Sequence, residues 1–203
     1  MGLFIPTYFS PITQYEAIVN TSDVVFEIED NYQKQTYRNR CYIYGANGKQ
    51  LLNIPVTHLS STKRKKTKDT LIDNSVTWQK QHLKSLQTAY KSSPFYEFYE
   101  DDLQMIFNKT YKYLIDVNID TFLFLIDALQ IDKNYTKTLE YKEYKINDFR
   151  YLANAKGENQ PKQKEYTQVF DNKYGFIPNL SALDLLFMEG PNAISFLAKK
   201  ILT

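Results

Sequence analysis

Apolar positions change their spacing several times along this chain, and each change marks an expected element. Residues 3–9 are a short aromatic run of strand character, closed by Ser10-Pro11, which reads as an N-cap followed by proline at the first helical position. Ile12, Tyr15, Ile18 and Val19 then follow helical spacing. Residues 24–29 alternate as a strand, and residues 37–44 and 50–56 flank Asn47-Gly48, a strong hairpin signal. From Val76 the period lengthens. Trp78, His82, Leu86 and Ala89 or Tyr90 share one stripe of an amphipathic helix of roughly four turns, stopped by Ser92-Ser93-Pro94. A second helix runs through Phe95, Phe98, Leu103, Ile106 and Phe107; a third, through Leu114, Ile119, Phe122, Leu125, Ile126 and Leu129, is apolar enough to sit in the core. Residues 135–144 return to alternation, and two final helical stretches are split at Gly190-Pro191. Ser181, with Asp184 three residues on, reads as a capping box before the first of these. Residues 57–69, rich in Ser, Thr and Lys, and residues 154–164, with Gly157 and Pro161, read as loops, the first exposed and the second mobile.

These elements predict one α/β domain over residues 1–203. Its expected core is a mixed, partly antiparallel sheet, built from the first quarter and residues 135–144 and packed by helices beginning near Pro11, Val76, Phe95 and Tyr111 and by the C-terminal pair. No repeat at a fixed period appears. The longest apolar-rich stretch, residues 122–129, includes Asp127 and is far shorter than the ~20 residues needed to cross a bilayer, so no membrane partner is expected.

Composition narrows the function classes. With 17 Tyr and 13 Phe the chain is too aromatic to be disordered. A formal net charge of +2 neither demands nor excludes a polyanionic partner. The basic charge gathers in the single run Lys63-Arg64-Lys65-Lys66-Thr67-Lys68 rather than along a groove interleaved with aromatics, which argues against nucleic acid. One cysteine, Cys41, cannot form an internal disulfide and reads as a buried thiol. Together with an N-terminal segment lacking the features of a secretion signal, this places the expected location in the cytoplasm.

GxGxxG, GxxxxGK[ST], HExxH, CxxC and GxSxG are all missing; two histidines and one cysteine leave no metal site, and no cofactor is expected. On the expected strand, period-two alternation puts Asn39 and Cys41 on one face and Arg38 and Arg40 on the other. The arginines form either a fork for a carboxylate or phosphate, or a solvated face with carboxylate partners of its own. His82, one turn beyond Trp78, is either a proton carrier or a core histidine bonded to a carbonyl, while His58 belongs to the exposed basic loop. Tyrosines in the second half, Tyr96, Tyr111, Tyr135 and Tyr141 among them, suit a core or an oligomer interface at least as well as a sugar site.

Several segments together resemble the WbqC-like protein family: Pro6-Thr7-Tyr8-Phe9-Ser10-Pro11-Ile12 with Tyr15, then Asn39-Arg40-Cys41, Asn53-Ile54-Pro55-Val56, Trp78 with His82, Ser93-Pro94-Phe95-Tyr96-Glu97, and residues 175–187 from Gly175 to Phe187. Their order and spacing are similar to the form common in Bacteroidetes-type bacteria. The family takes its name from a member in an O-antigen polysaccharide gene cluster, so the resemblance implies, for some members, a link to surface-glycan or amino-sugar biosynthesis. Carried over by position, it implies roles for Tyr8, Pro11, Tyr15, Asn39, Arg40, Trp78, His82, Asn179, Ser181 and Asp184, with Glu29-Asp30 standing for an acidic pair. Other members carry a different residue at Cys41, which argues against a thiol nucleophile.

Two functions follow as expectations. In the first, the protein is an enzyme on a small polar substrate, an amino sugar or nucleotide sugar. There His82 moves a proton, Asp184 orients His82 or the ligand, and Tyr8, Asn39, Arg40, Trp78 and Asn179 bind substrate. In the second it is a non-catalytic scaffold or binding module whose tyrosines form a homo-oligomer interface.

Overall fold

The structure is a computed structural model that describes residues 1–57, 65–144, 147–156 and 163–198. The first aromatic run gives a three-residue strand, β1 (Gly2–Phe4), followed by α1 (Ile12–Val19) and β2 (Val24–Phe26). β1 and β2 run parallel, Gly2 opposite Val24 and Phe4 opposite Phe26, with α1 as the crossover that parallel pairing requires. Every residue of both strands is buried, the mark of a parallel sheet covered on both faces. The cap of α1 is Pro11 rather than Ser10. The Ser10 hydroxyl accepts from Thr7 (2.6 Å), and Leu180 supplies the carbonyl for the Ile12 amide (3.0 Å).

β3 (Arg40–Gly45) and β4 (Gly48–Asn53) are the expected hairpin, antiparallel from Arg40–Asn53 to Gly45–Gly48. Gly48 lies at φ +92°, a left-handed position that Gly fills without a Cβ penalty. The strand begins at Arg40, not at residue 37, because Tyr37 and Arg38 form a turn. That breaks the expected alternation. Three helices follow, α2 (Trp78–Tyr90), α3 (Tyr96–Asn108) and α4 (Leu114–Ala128); the stripe Trp78, His82, Leu86, Ala89 and Tyr90 is the buried face of α2. Of the apolar positions expected along the second helix, Leu103, Ile106 and Phe107 are buried in α3 and Phe98 is 75% exposed.

β5 (Tyr135–Lys137) and β6 (Asn147–Asp148) complete a four-stranded sheet of order β5-β2-β1-β6, parallel throughout. The α/β class and the mixed pairing hold, but they are divided between this parallel sheet and the separate hairpin. The strand expected over residues 135–144 stops at Lys137. α5 (Asp171–Tyr174), α6 (Ala182–Glu189) and α7 (Ala193–Leu197) close the chain, the last two parted at Gly190-Pro191 as expected. Ser181 caps α6 by accepting from the Leu183 amide (3.2 Å), whereas the Asp184 side chain turns inward instead of completing a capping box. Of the two expected loops, residues 157–162 and His58 lie outside the described residues, and Lys66 and Lys68 are ion-paired to Glu29 instead of being free in solvent. Among the described residues no helix is long and apolar enough to cross a membrane.

Asn118 of α4 ties the sheet to the Tyr37-Arg38 turn. Its buried amide donates to the carbonyls of Pro6, just past β1, and of Arg38 (3.0 and 2.9 Å). Asn118→Ala is expected to lower stability by about 2 kcal/mol, two hydrogen bonds to buried carbonyls being lost. Urea unfolding checks it: the midpoint falls at unchanged slope.

Candidate functional site

The neighbouring strands β2, β1 and β6 run parallel, so their carboxyl ends lie on one side of the sheet, and the chain beyond two of them carries charge. Past β2 come Glu27, Glu29 and Asp30, and past β6 comes Arg150. Strand order reverses beside β1, which has β2 on one side and the late strand β6 on the other. In an open parallel sheet this reversal leaves a crevice at the carboxyl ends of the strands, because neighbouring connections depart in opposite directions. Such a crevice is present, a cavity of about 630 Å³ lined in part by Ile5, Glu29, Asp30, Arg38, Lys66 and Arg150.

Of its charged lining, Glu29, Asp30 and Arg38 are buried and ion-paired. Arg38, 3% exposed, donates from Nη2 to Asp30 Oδ2 at 2.5 Å. Lys66 and Lys68 donate to the two oxygens of Glu29 (2.5 and 2.6 Å), and these bonds hold its carboxyl below the usual carboxylate range. Glu29 is therefore ionised at neutral pH. Arg150 donates to both oxygens of Asp148 and brings Nη1 to 3.6 Å from Glu27 Oε2. Glu27, wholly buried, uses its other oxygen to accept from the Glu29 amide (2.8 Å) and the Thr138 hydroxyl (2.9 Å). Four enclosed atoms in these groups have no hydrogen-bond partner: Asp30 Oδ1, Arg38 Nε, Glu27 Oε2 and Arg150 Nη1. At the rim, Tyr141 and Tyr151 are 63% and 68% exposed, and the Arg150 guanidinium lies 5.3 Å from the Tyr141 ring centre.

The residues singled out from sequence lie elsewhere, most of them in two networks. Tyr8, Trp78 and His82 meet in the core. The Tyr8 hydroxyl and His82 Nδ1 share a 2.9 Å hydrogen bond, and Trp78 packs edge-on against both rings. Burial lowers the His82 pKa to about 4 against the weaker upward pull of a backbone hydrogen bond at Asn53, and burial raises that of Tyr8. Asn39 joins this group through Asn53, donating to its side chain (3.1 Å) and to the Ile54 carbonyl (2.9 Å), while Arg40 pairs with Asn53 across the hairpin.

Asp184 belongs to a second network. It accepts from Tyr90 (2.6 Å), Tyr166 (2.5 Å) and Gln168 (3.0 Å), and among the described residues it has no hydrogen bond to His82. Burial raises its pKa, and the bonds from Tyr166, Tyr90 and Gln168 pull it back down. Asn179, at φ +54°, accepts from the Thr13 amide (3.1 Å). Cys41 is a buried free thiol whose pKa burial raises, so its nucleophilic thiolate is suppressed.

Sequence reasoning touched the crevice only through Arg38, the Glu29-Asp30 pair, Tyr141 and the lysine run. It missed Glu27, Arg150 and Tyr151. The usable signal was the β1–α1–β2 order itself, a strand, helix and strand within 26 residues, which puts the carboxyl end of β2 beside that of β1.

A model of the WbqC-like protein family matches residues 6–156. That span holds the crevice side chains from Glu29 to Asn154 and stops before Asn179 and Asp184. No curated protein and no solved structure matches the chain.

The His82 environment sets a pH dependence. Below its ordinary pKa of 6.5 the unfolded chain takes up a proton that the folded ring refuses until about pH 4. Stability therefore declines as pH falls through this window, by ~3 kcal/mol in total, and the decline stops below it. Urea unfolding across the window checks this: His82→Gln flattens that part of the profile, and parallel profiles for the two proteins reject it.

Proposed function

For this chain, which belongs to the WbqC-like protein family, we propose an enzyme that acts on a small sugar-bearing substrate, an amino sugar or a nucleotide sugar, in the crevice at the carboxyl ends of the parallel strands. The observation that carries this reading is the pairing of two exposed tyrosine rings, Tyr141 and Tyr151, with a floor of buried charged groups. A saccharide ring presents an apolar face and a polar edge. The tyrosines suit the first and the charged groups the second. Glu29, kept ionised by Lys66 and Lys68, and the guanidinium groups of Arg38 and Arg150 are the charged groups that orient the polar edge of the ring. A role in surface-glycan biosynthesis agrees with the resemblance noted from the sequence.

The test is a titration of the full chain with a hexosamine and with a uridine-diphosphate hexosamine, followed by thermal shift and by amide chemical-shift mapping. Shifts are expected at Glu29, Asp30 and Arg150. Tyr151→Ala, at a surface position, should weaken binding roughly fivefold at unchanged melting temperature, the loss of about 1 kcal/mol of ring contact. Shifts centred on His82 and Asn53 instead would move the site to the residues expected from sequence and overturn the crevice reading.

One observation favours the binding-module reading. Phe98 and Met105 of α3 and Leu123 of α4 are exposed side by side along a groove of about 490 Å³. An exposed apolar groove suits self-association. Sedimentation equilibrium tests it, an oligomer that Met105→Glu dissociates being the expected result and a monomer at all concentrations the contrary one.

A further inference from the structure

The groove between α3 and α4 carries a charge that its apolar side chains do not disclose. The two helices hold seven Asp and Glu and no Lys or Arg, in a chain whose formal net charge is +2. Helical spacing sets several of these carboxylates among the apolar side chains. On α3, Asp102 follows Phe98 by four residues and precedes Met105 by three, so the three share one face. On α4, Asp120 and Asp127 bracket Leu123 and Phe124 in the same way. All of these side chains line the groove. Lys109, the one lysine among the described lining residues, is already paired to Asp120 (2.5 Å). Asp102 and Asp127 are exposed and have no ion pair among the described residues.

Charge narrows which occupants suit the groove. A second copy presenting the same face would set two such groups of carboxylates against each other, and like charges brought together across an interface oppose association. Nucleic acid and anionic lipid are repelled by the same groups. A cationic partner is attracted by them, yet a merely basic tail would leave Phe98, Met105 and Leu123 uncovered. A helix with apolar residues at i, i+3 or i+4 and i+7, and with lysine or arginine beside them, answers both demands. The length agrees: α3, with 13 residues, is about 20 Å long, the span of about four turns of a partner helix.

Resting on the groove of the binding-module reading, and departing from that reading in the occupant, we infer that the face formed by α3 and α4 is a docking site for a basic amphipathic helix of another protein. The apolar stripe of that helix lies along Phe98, Met105 and Leu123, and its cations pair with Asp102 and Asp127. The groove shares no described lining residue with the crevice, so docking here is separate from whatever the crevice binds.

The probe is a peptide of leucine and lysine, about four helical turns long, with its leucines on one face. Two controls accompany it: the same composition scrambled so that no apolar face forms, and the same pattern with glutamate in place of lysine. Each is titrated into the full chain and followed by fluorescence anisotropy and amide chemical-shift mapping. The basic amphipathic peptide is expected to bind one to one, to shift amides of α3 and α4, to bind roughly tenfold tighter than either control, and to lose affinity as salt rises. Asp102→Asn combined with Asp127→Asn, both at exposed positions, should weaken it roughly fivefold at unchanged melting temperature. Equal binding of the scrambled peptide overturns the inference, as does an affinity indifferent to salt and to the paired asparagines. If the chain instead sediments as an oligomer that Met105→Glu dissociates and the peptide does not, a second copy fills the groove; the self-association reading then stands and the inference falls. A monomer that binds no peptide at α3 and α4 removes both.

Discussion

The Arg38–Asp30 ion pair fixes how the ends of the parallel strands meet the rest of the chain. Both side chains are buried, so neither charge can be left alone without a large desolvation penalty, and the Tyr37-Arg38 turn must stay against the residues leaving β2. Asn118 holds the other side of that turn and the exit of β1 together. The crevice is the space these constraints leave. Within its lining, Arg38, Asp30, Glu29 and Arg150 are held in place by ionic partners, which is the condition for a polar site to recognise a ligand without first reorganising.

Aromatic packing explains how so polar a crevice is tolerated. The unusual tyrosine content is spent largely inside, where each ring contributes apolar area and each hydroxyl has somewhere to go: Tyr8 to His82, Tyr15 to the Phe122 carbonyl, Tyr44 to the carbonyls of Phe170 and Gly175, and Tyr90 and Tyr166 to Asp184. Burial raises the pKa of all five of these tyrosines and lowers that of His82, so these interior side chains are neutral at physiological pH, and Asp184 is a carboxyl built in among them with three donors. Tyr141 and Tyr151 break this habit by lying at the surface, and both do so at the crevice.

Local periodicity and local chemistry carry the elements themselves. The helical stripe from Trp78 to Tyr90, the apolar α4, the hairpin at Asn47-Gly48, the cap at Ser181 and the break at Gly190-Pro191 all rest on contacts within a few residues, and all are where the spacing puts them. Trp78 and His82 share the stripe that helical spacing predicts, while the contact that adds Tyr8 to them comes from the packing of the core. The remaining features depend on contacts between distant segments. Strands of two or three residues carry too little pattern to reveal that they pair in parallel, and parallel pairing joins segments more than a hundred residues apart, as β1 is joined to β6. Alternation placed Arg38 and Arg40 on one face, and a turn that no local rule demanded sent Arg38 inward to Asp30. Asp184 looked like the partner of a helix cap and became the acceptor for two distant tyrosines, since a buried carboxylate takes whichever donors the packing brings to it. The crevice is composed of such long-range meetings: its charges are ordinary in sequence and acquire their meaning only where the strands end together.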